Sequence, residues 1–245
     1  MRERQVSHMN QVNYQKELEK ILDGLSGAGS NDAGILPGTG LPPANPFPPR
    51  LLLHSCCAPC SSYCLEYLCT YFAITVFYFN PNISEEAEYC HRVAEQKRLI
   101  AAYNEKGMGY PIRIVEGDYE PSRFGEIARG YEDCPEGGAR CARCFDLRLR
   151  ETAGRAAAEG FDFFGTTLTI SPLKNAWEIN RIGTGLAEEY GVAWLPSDFK
   201  KKDGYKRSIE LSAEYGLYRQ DYCGCAFSKA ERDRRENGRE NRRET

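Results

Sequence analysis

The first predicted strand and the turn that follows it decide the fold class of this chain. Residues 51–60 read Leu-Leu-Leu-His-Ser-Cys-Cys-Ala-Pro-Cys, an apolar run followed by three thiols. A short apolar run bounded by polar residues is typical of a strand buried in a parallel sheet. The turn after such a strand is rich in glycine when the fold binds phosphate, whereas this turn contains none. We therefore expect a buried strand whose carboxyl end presents cysteines.

Predicted strands and helices alternate after this turn. Further strands are predicted at 74–79, 112–115, 161–168 and 192–195. Helices with one apolar face are predicted at 84–107, 141–159, 177–190 and 206–215. Repeated β-α units predict an α/β fold, with a Rossmann-like parallel sheet, helices on both faces and right-handed crossovers. The binding site of such a sheet lies beyond the carboxyl ends of its strands, where the cysteines are expected.

Composition divides the chain into four segments. Residues 1–23 are expected to form an N-terminal helical segment, and 24–49 a Gly/Pro-rich linker. The catalytic α/β domain is expected to cover 50–228. Residues 229–245 mix Arg and Glu without an apolar anchor, so a disordered charged tail is predicted there.

Length, charge and cysteine content narrow the class of protein. The 245 residues carry a formal net charge of −3, which excludes a strongly basic nucleic-acid binder but not a local basic patch. The first ten residues lack an apolar signal sequence, and the apolar stretch at 71–79 is about half of the roughly 18 residues that a membrane span needs. We expect a cytoplasmic protein without a membrane partner, whose 11 cysteines serve metal or redox chemistry.

Two cysteine groups predict a metal centre. Cys56 and Cys57 follow the first strand, while Cys141 and Cys144 lie three residues apart at the start of a helix, whose dipole stabilises thiolates. Four thiolates suit either a tetrahedral zinc ion or an iron–sulfur cluster. A position at the functional edge of a parallel sheet favours the cluster. The spacing differs from the Cys-x-x-x-Cys-x-x-Cys run of enzymes that cleave S-adenosylmethionine.

A third group reads Cys223-Gly224-Cys225. Two thiols separated by one glycine can close a strained, reducible disulfide, so a redox-active pair is favoured. Further metal ligands and simple packing are the alternatives. The remaining cysteines, except Cys60, are expected to be structural.

A basic stretch just past the last predicted strand is a candidate for contact with nucleic-acid phosphates. An ordinary solvated loop is the alternative. The candidate cations are Lys200, Lys201, Lys202, Lys206, Arg207 and the later Arg219. Tyrosines near them, Tyr205, Tyr218 and Tyr222, are candidates for stacking on bases.

These motifs resemble those of the cobalamin-independent epoxyqueuosine reductases. The likeness begins at 13–18 and continues through 51–61, 78–83, 116–119, 136–141, 166–172, 195–202 and 218–225. It spans roughly residues 10 to 228 and departs only in the Gly/Pro-rich insert and the charged tail. The resemblance implies a fold like that of the nucleotide α-hydrolases, with thiols in place of the phosphate loop.

The same resemblance implies an enzyme of the last step of queuosine synthesis. Such an enzyme removes the epoxide oxygen from epoxyqueuosine in the anticodon of tRNA, its macromolecular partner. A 4Fe–4S cluster is implied on the four thiols of the first two groups, without cobalamin. Cys223 and Cys225 are implied to form the redox-active disulfide, which we expect to relay electrons from an unidentified donor.

Some roles remain hypotheses. Vicinal Cys56 and Cys57 cannot easily bind one iron of a cluster together without strain, so one of them, or Cys60, is predicted to hold an adjacent single iron. Asp118, Asp198 and Tyr222 are candidate acids or substrate contacts, because they follow strands or adjoin the redox pair.

Two other functions stay open at this stage. A nucleotide-dependent tRNA thiolation enzyme shares the α/β plan, but it should carry a glycine- and serine-rich loop after the first strand. A zinc-stabilised RNA-binding module without catalysis would use the same thiols as structural ligands.

Overall fold

Five parallel strands form the centre of the structure, a computed structural model that describes residues 12–27 and 47–240. The strands are β1 Arg50–His54, β2 Ala73–Tyr78, β3 Arg113–Glu116, β4 Phe163–Thr166 and β5 Ala193–Trp194. Their order in the sheet is β3-β2-β1-β4-β5, and each neighbouring pair is parallel. The order reverses between β1 and β4. In open α/β sheets the ligand crevice lies at such a reversal, outside the carboxyl ends of the strands.

Helices connect and cover these strands. They are α1 Tyr14–Gly27, α2 Ala58–Leu68, α3 Glu86–Lys106, α4 Pro121–Ala128, α5 Ala139–Ala158, α6 Ala176–Tyr190, α7 Gly204–Glu214 and α8 Ala226–Glu240. A short 3-10 turn, Leu168–Ile170, follows β4. None of the helices in the described ranges has the length and apolarity needed to cross a bilayer.

The core forms two layers, one on each face of the sheet. Leu51 and Leu53 of β1 pack in one layer with apolar side chains of α1, α2 and α3. Leu52 points to the other layer, which contains the apolar faces of α5 and α6. Alternation along one strand therefore supplies both layers, as expected for a sheet covered on both sides. The predicted α/β class with helices on both faces is confirmed.

Two segment boundaries differ from the prediction. Helix α1 continues to Gly27, so it includes the first residues of the predicted linker. The rest of that linker, 28–46, and the first part of the predicted N-terminal segment, 1–11, lie outside the described residues. Of the predicted strand at 161–168, only Phe163–Thr166 pairs in the sheet, because the chain then turns into the 3-10 helix.

The predicted disorder from residue 229 is corrected by helix α8. Its first turn is anchored by Phe227, whose ring packs against Phe124 and lies 4.1 Å from the guanidinium carbon of Arg140. Arg232 of the same helix forms an ion pair with Asp221 at 2.7 Å. These partners lie on other elements and are not visible in the local composition. Residues 241–245 lie outside the described ranges.

Candidate metal and redox site

Three thiols follow β1 at the point where the strand order reverses. The Sγ atoms of Cys56, Cys57 and Cys60 all lie within 4.8 Å of one another, and those of Cys56 and Cys57 are 3.9 Å apart. Cys57 is the N-cap of α2, and Cys60 lies in its first turn. Sulfur atoms around one tetrahedral ion with metal–sulfur bonds near 2.3 Å are about 3.8 Å apart. This thiol triad therefore has the spacing of a site for one metal ion.

Buried hydrogen bonds hold the triad in place. Ser55 and Ser61 both donate their hydroxyls to Oε1 of Gln96, at 2.8 and 2.9 Å. The Tyr78 hydroxyl donates to the carbonyl of Cys56 at 3.3 Å. All of these side chains are buried. The turn is thus fixed by partners on α3 and β2, which limits the reorganisation that ligand binding requires.

His54 joins the two central strands and is not free to bind a metal. Its Nε2 donates to the carbonyl of Phe79 at 3.1 Å, and its Nδ1 accepts from the Thr166 hydroxyl at 2.9 Å. A carbonyl can only accept, so this tautomer is the one that satisfies both bonds. Burial, assisted by the nearby charge of Arg148, lowers the pKa of His54 to about 3. The imidazole is therefore neutral and fully bonded.

The second cysteine group begins α5. Cys141 accepts a hydrogen bond from the amide of Gly137 at 3.2 Å and contacts the apolar cluster that contains Cys56 and Cys57. Cys144 is buried one turn later and packs beside Cys225. Burial raises the pKa of Cys144 to about 11. A thiolate here would need a compensating cation, which a metal can provide.

The third group precedes α8. The Sγ atoms of Cys223 and Cys225 are 3.5 Å apart, and both thiols are free. The amide of Ser228 donates to Sγ of Cys225 at 3.3 Å, while its hydroxyl accepts from the amide of Cys223 at 3.2 Å. A hydrogen bond with Cys225 lowers the pKa of Cys223 to about 6. Cys223 is also the more exposed of the two, which suits it to react first.

Gly224 makes this tight pair possible. Its φ of +113° is a conformation that other residues rarely adopt, and a Cβ there would lie 2.8 Å from Cγ1 of Ile83. The glycine therefore sets the direction of both neighbouring thiols.

Two cavities that share part of their lining connect the cysteine groups. The larger cavity has a volume of about 380 Å³, within the usual range for small-ligand sites, and Cys56, Cys60 and Cys223 contribute to its wall. The smaller cavity of about 30 Å³ is lined by Cys141, Cys144, Cys223 and Cys225. Arg148 and Lys174 line both cavities. The three groups therefore surround these two cations.

The cations of the larger cavity fall into two classes. Three of them are paired with carboxylates, in the ion pairs Arg92–Glu88, Arg232–Asp221 and Arg235–Glu136. Arg148, Lys174 and Arg219 form no ion pair with any carboxylate in the described part of the chain. Burial disfavours the charged form of Lys174, but the nearby thiols of Cys56, Cys60 and Cys223 outweigh it and raise the pKa of Lys174. The cavity therefore has excess positive charge.

The candidate RNA-contacting cations are not equivalent. Half of them are engaged in ion pairs, Lys200 with Asp198, Lys202 with Glu19 and Arg207 with Glu66. Lys201 and Lys206 form none in the described ranges. Arg219 lines the cavity and donates only to neutral oxygens, among them the hydroxyl of Ser212 at 3.0 Å. Tyr205 lines the same cavity and is partly exposed.

The candidate acids are also separated by the structure. Asp118 is exposed and follows the edge strand β3, while Asp198 forms an ion pair with Lys200. Neither carboxylate lines the larger cavity. Tyr222 does line it, with the guanidinium carbons of Arg92 and Arg232 5.3 and 4.9 Å from its ring centroid. Burial raises the pKa of Tyr222. Tyr222 is thus the one of the three that is placed to meet a ligand in this cavity.

Three residues of the site were not identified from the sequence. For two of them, the position in a predicted helix could have indicated their role. Gln96 is a polar residue on the buried face of α3. Arg148 lies one helical turn after Cys144 on α5, so the same face carries both. Lys174 follows a Ser-Pro pair in a loop, and its local sequence carries no sign of its position between the thiols.

Comparison with known proteins gives a consistent family. The family model described as Epoxyqueuosine reductase QueH matches residues 51–231. Proteins of that name are 41% identical over 219 residues in Staphylococcus epidermidis, covering 89% of this chain and 84% of that protein, and 46% identical over 180 residues in Streptococcus pyogenes, covering 74% and 70%. One from Thermotoga maritima is 36% identical over 188 residues, covering 74% and 91%. With cysteines converging at the switch point of the sheet, the chain belongs to the epoxyqueuosine reductase QueH family.

Proposed function

We propose that this protein reduces epoxyqueuosine to queuosine in the anticodon of tRNA, the last step of queuosine synthesis. The observation that supports the proposal is that three cysteine groups line two cavities that share Arg148, Lys174 and Cys223, in a chain of this family. The reaction converts an epoxide into an alkene and releases its oxygen as water, so it consumes two electrons and two protons.

The donor set fits a thiolate-bound metal centre. Six cysteines line the two cavities that contain Arg148 and Lys174, two cations that lack carboxylate partners in the described ranges, and such cations offset the negative charge of metal-bound thiolates. Cys56, Cys57, Cys141 and Cys144 would hold a 4Fe–4S cluster, and Cys60, or one of the vicinal pair, would hold an adjacent single iron. When bound, these groups supply electrons and a Lewis acid for the epoxide oxygen.

The dithiol matches the electron demand of the reaction. Oxidation of Cys223 and Cys225 to a disulfide releases two electrons and two protons, the same number that the epoxide consumes. A cellular reductant must then restore the thiols. Because Tyr222 lies in the cavity beside Cys223, its hydroxyl is the candidate to give a proton to the departing oxygen.

The surroundings of the cavity suit a single-stranded RNA loop. Such loops are bound by phosphate contacts and by stacking of splayed bases on aromatic rings. Arg219, which forms no ion pair within the described ranges, supplies positive charge, and Tyr205 and Tyr222 supply rings. Lys201 and Lys206 extend the positive charge beyond the cavity. We further propose a cytoplasmic location, where thiols stay reduced.

The direct test is an anaerobic assay on tRNA that carries epoxyqueuosine. Purified protein with reductant should convert the modified nucleoside to queuosine, as measured by mass spectrometry of the digested tRNA. Metal-replete protein that leaves epoxyqueuosine intact under these conditions would contradict the proposal.

Metal analysis tests the cofactor. An iron–sulfur protein should be brown, absorb near 400 nm and bleach with dithionite, approximate properties of thiolate-bound clusters. A colourless protein replete with zinc would instead favour the RNA-binding module. Iron at or below about four atoms per chain with full activity would exclude the additional single iron.

A further inference from the structure

Two positive side chains lie among the cysteines and form no ion pair with a carboxylate in the described ranges. They are Arg148 and Lys174, which line both the larger cavity and the smaller one. Three acidic side chains line the larger cavity. Glu136 pairs with Arg235 and Asp221 with Arg232, and Glu236 forms no ion pair with either cation. The thiols beside the two cations are therefore the groups whose negative charge these cations would balance when a metal is bound.

Arg148 is held by neutral acceptors. It is 3% exposed, its Nε donates to the carbonyl of Cys144 at 3.1 Å, and its Nη1 donates to Oδ1 of Asn80 at 3.3 Å. These bonds fix the guanidinium between α5 and the end of β2, but they do not cancel its charge. A buried cation without a counterion is unfavourable unless an anion is to be bound beside it.

Lys174 brings a second charge from a different element. It follows the 3-10 turn after β4, and its amide donates to the carbonyl of Ser171 at 3.2 Å. Its ammonium forms no ion pair among the described residues. Because β4 is the neighbour of β1 in the sheet, the loop after β4 reaches the same edge as the thiol triad, while Arg148 comes from α5.

We infer that Arg148 and Lys174 are positioning residues that favour the reduced form of the thiolate-bound centre, by balancing the negative charge that reduction adds. The inference rests on the proposed iron–sulfur cofactor. When the cluster takes one electron from a reductant, no atom is transferred and its net charge becomes more negative. Nearby positive charge stabilises that state, and net charge and hydrogen bonds to sulfur are among the factors that set cluster potentials.

The test is a reductive titration of the reconstituted protein. Wild type and Lys174→Met are titrated anaerobically with dithionite in the presence of mediator dyes, and the reduced cluster is followed by electron paramagnetic resonance. Lys174→Met should lose at least tenfold in the reduction equilibrium constant, a midpoint about 59 mV more negative for a one-electron couple. Lys174→Arg, which keeps the charge, should stay near wild type.

A matched control removes the same charge elsewhere. Lys16 is exposed on α1 and lines neither cavity, so Lys16→Met should leave the midpoint unchanged. Should Lys174→Met fail to retain the cluster, the same titration on Lys174→Gln, which keeps a polar side chain, decides the question.

The outcomes separate this inference from the proposed function. A cluster-replete Lys174 variant with an unchanged midpoint overturns the inference, as does a variant whose only change is a higher KM for tRNA. Wild-type protein that binds no iron or sulfide would instead refute the cofactor itself. With the inference correct, the variant shows a lower kcat at unchanged KM, together with the shifted midpoint.

Discussion

At the scale of single residues, the cysteine turn depends on one buried amide. Gln96 Oε1 accepts from both Ser55 and Ser61, which flank the thiol triad on either side. A single acceptor therefore fixes two points of the turn. These hydrogen bonds hold the backbone of the turn, and the backbone in turn sets the positions of the sulfur atoms.

Replacing Gln96 with Met should loosen the turn. The change removes the acceptor that two buried hydroxyls share and leaves them only the carbonyls of Cys57 and Ala58, at 3.5 and 3.1 Å. We expect a loss of about 1–3 kcal/mol in the free energy of unfolding. Iron content after reconstitution should fall as well. Urea unfolding and iron analysis measure the two effects. Gln15→Met is the control, since Gln15 is a buried amide on α1 that lines neither cavity; equal effects in the two variants would contradict the prediction.

Cys223→Ser should make turnover depend on the reductant. The variant keeps the four proposed cluster ligands, so dithionite in excess, which can supply both electrons through the cluster, should still support conversion. It cannot close the disulfide, so conversion with a thiol reductant should stop. Multiple-turnover assays with each reductant compare the two conditions, with Cys90→Ser on the exposed side of α3 as control. Full multiple-turnover activity in Cys223→Ser with the thiol reductant would refute the relay.

At the scale of elements, close packing between α6 and β5 keeps the β5 edge of the sheet in place. Gly183 faces the indole of Trp194, and a Cβ at this position would lie 2.3 Å from the ring. Trp194 donates its Nε1 to Oδ1 of Asn180, which also accepts from the amide of Ser197. The helix can approach the strand this closely only because residue 183 has no side chain.

Gly183→Ala should therefore destabilise the protein. Overpacking against an indole that is fixed by a hydrogen bond is expected to cost about 1–3 kcal/mol of unfolding free energy. Gly185 lies on the exposed face of the same helix, where an added Cβ would have no atom within 4 Å, so Gly185→Ala should be neutral or stabilise by up to about 1 kcal/mol. Thermal unfolding of both variants measures the contrast, and similar melting temperatures would disprove it.

At the scale of the whole molecule, most of the core is independent of the metal site. Cys56 and Cys57 belong to one apolar layer, but both layers are built mainly from aliphatic and aromatic side chains of the strands and helices. We therefore expect the sheet to fold without a metal, in contrast to small zinc modules that are unfolded without one.

Removing the metal under reducing conditions should leave a folded protein. We expect the far-ultraviolet circular dichroism to persist and the melting temperature to fall, because a ligand that binds only the native state stabilises it by mass action. A chelated protein that loses its helical signal and its cooperative transition would show that the centre is structural.

The fold class and the cysteine groups were predictable because both leave local signals. Apolar runs predict β1 and β2, and helical periodicity predicts α3 and α5. Thiols directly after a strand predict a site at the carboxyl edge of the sheet. Helix α4, Pro121–Ala128, was missed, since it is short and buries only Phe124 and Ala128. The positions of Lys174 and α8 depend on contacts with distant elements, which no window of the sequence contains.

The hydroxyl of Ser228 donates to Oε1 of Glu136, next to the loop that leads into α5, while the same residue bonds the amide of Cys223 and the thiol of Cys225. Ser228 thus connects, by hydrogen bonds, the Cys223–Cys225 turn to the loop that precedes Cys141, although the two segments are far apart in the sequence. A frameshift or protease cut just ahead of residue 228 would release both at once, so loss of the last helix should disable the enzyme even with every cysteine intact.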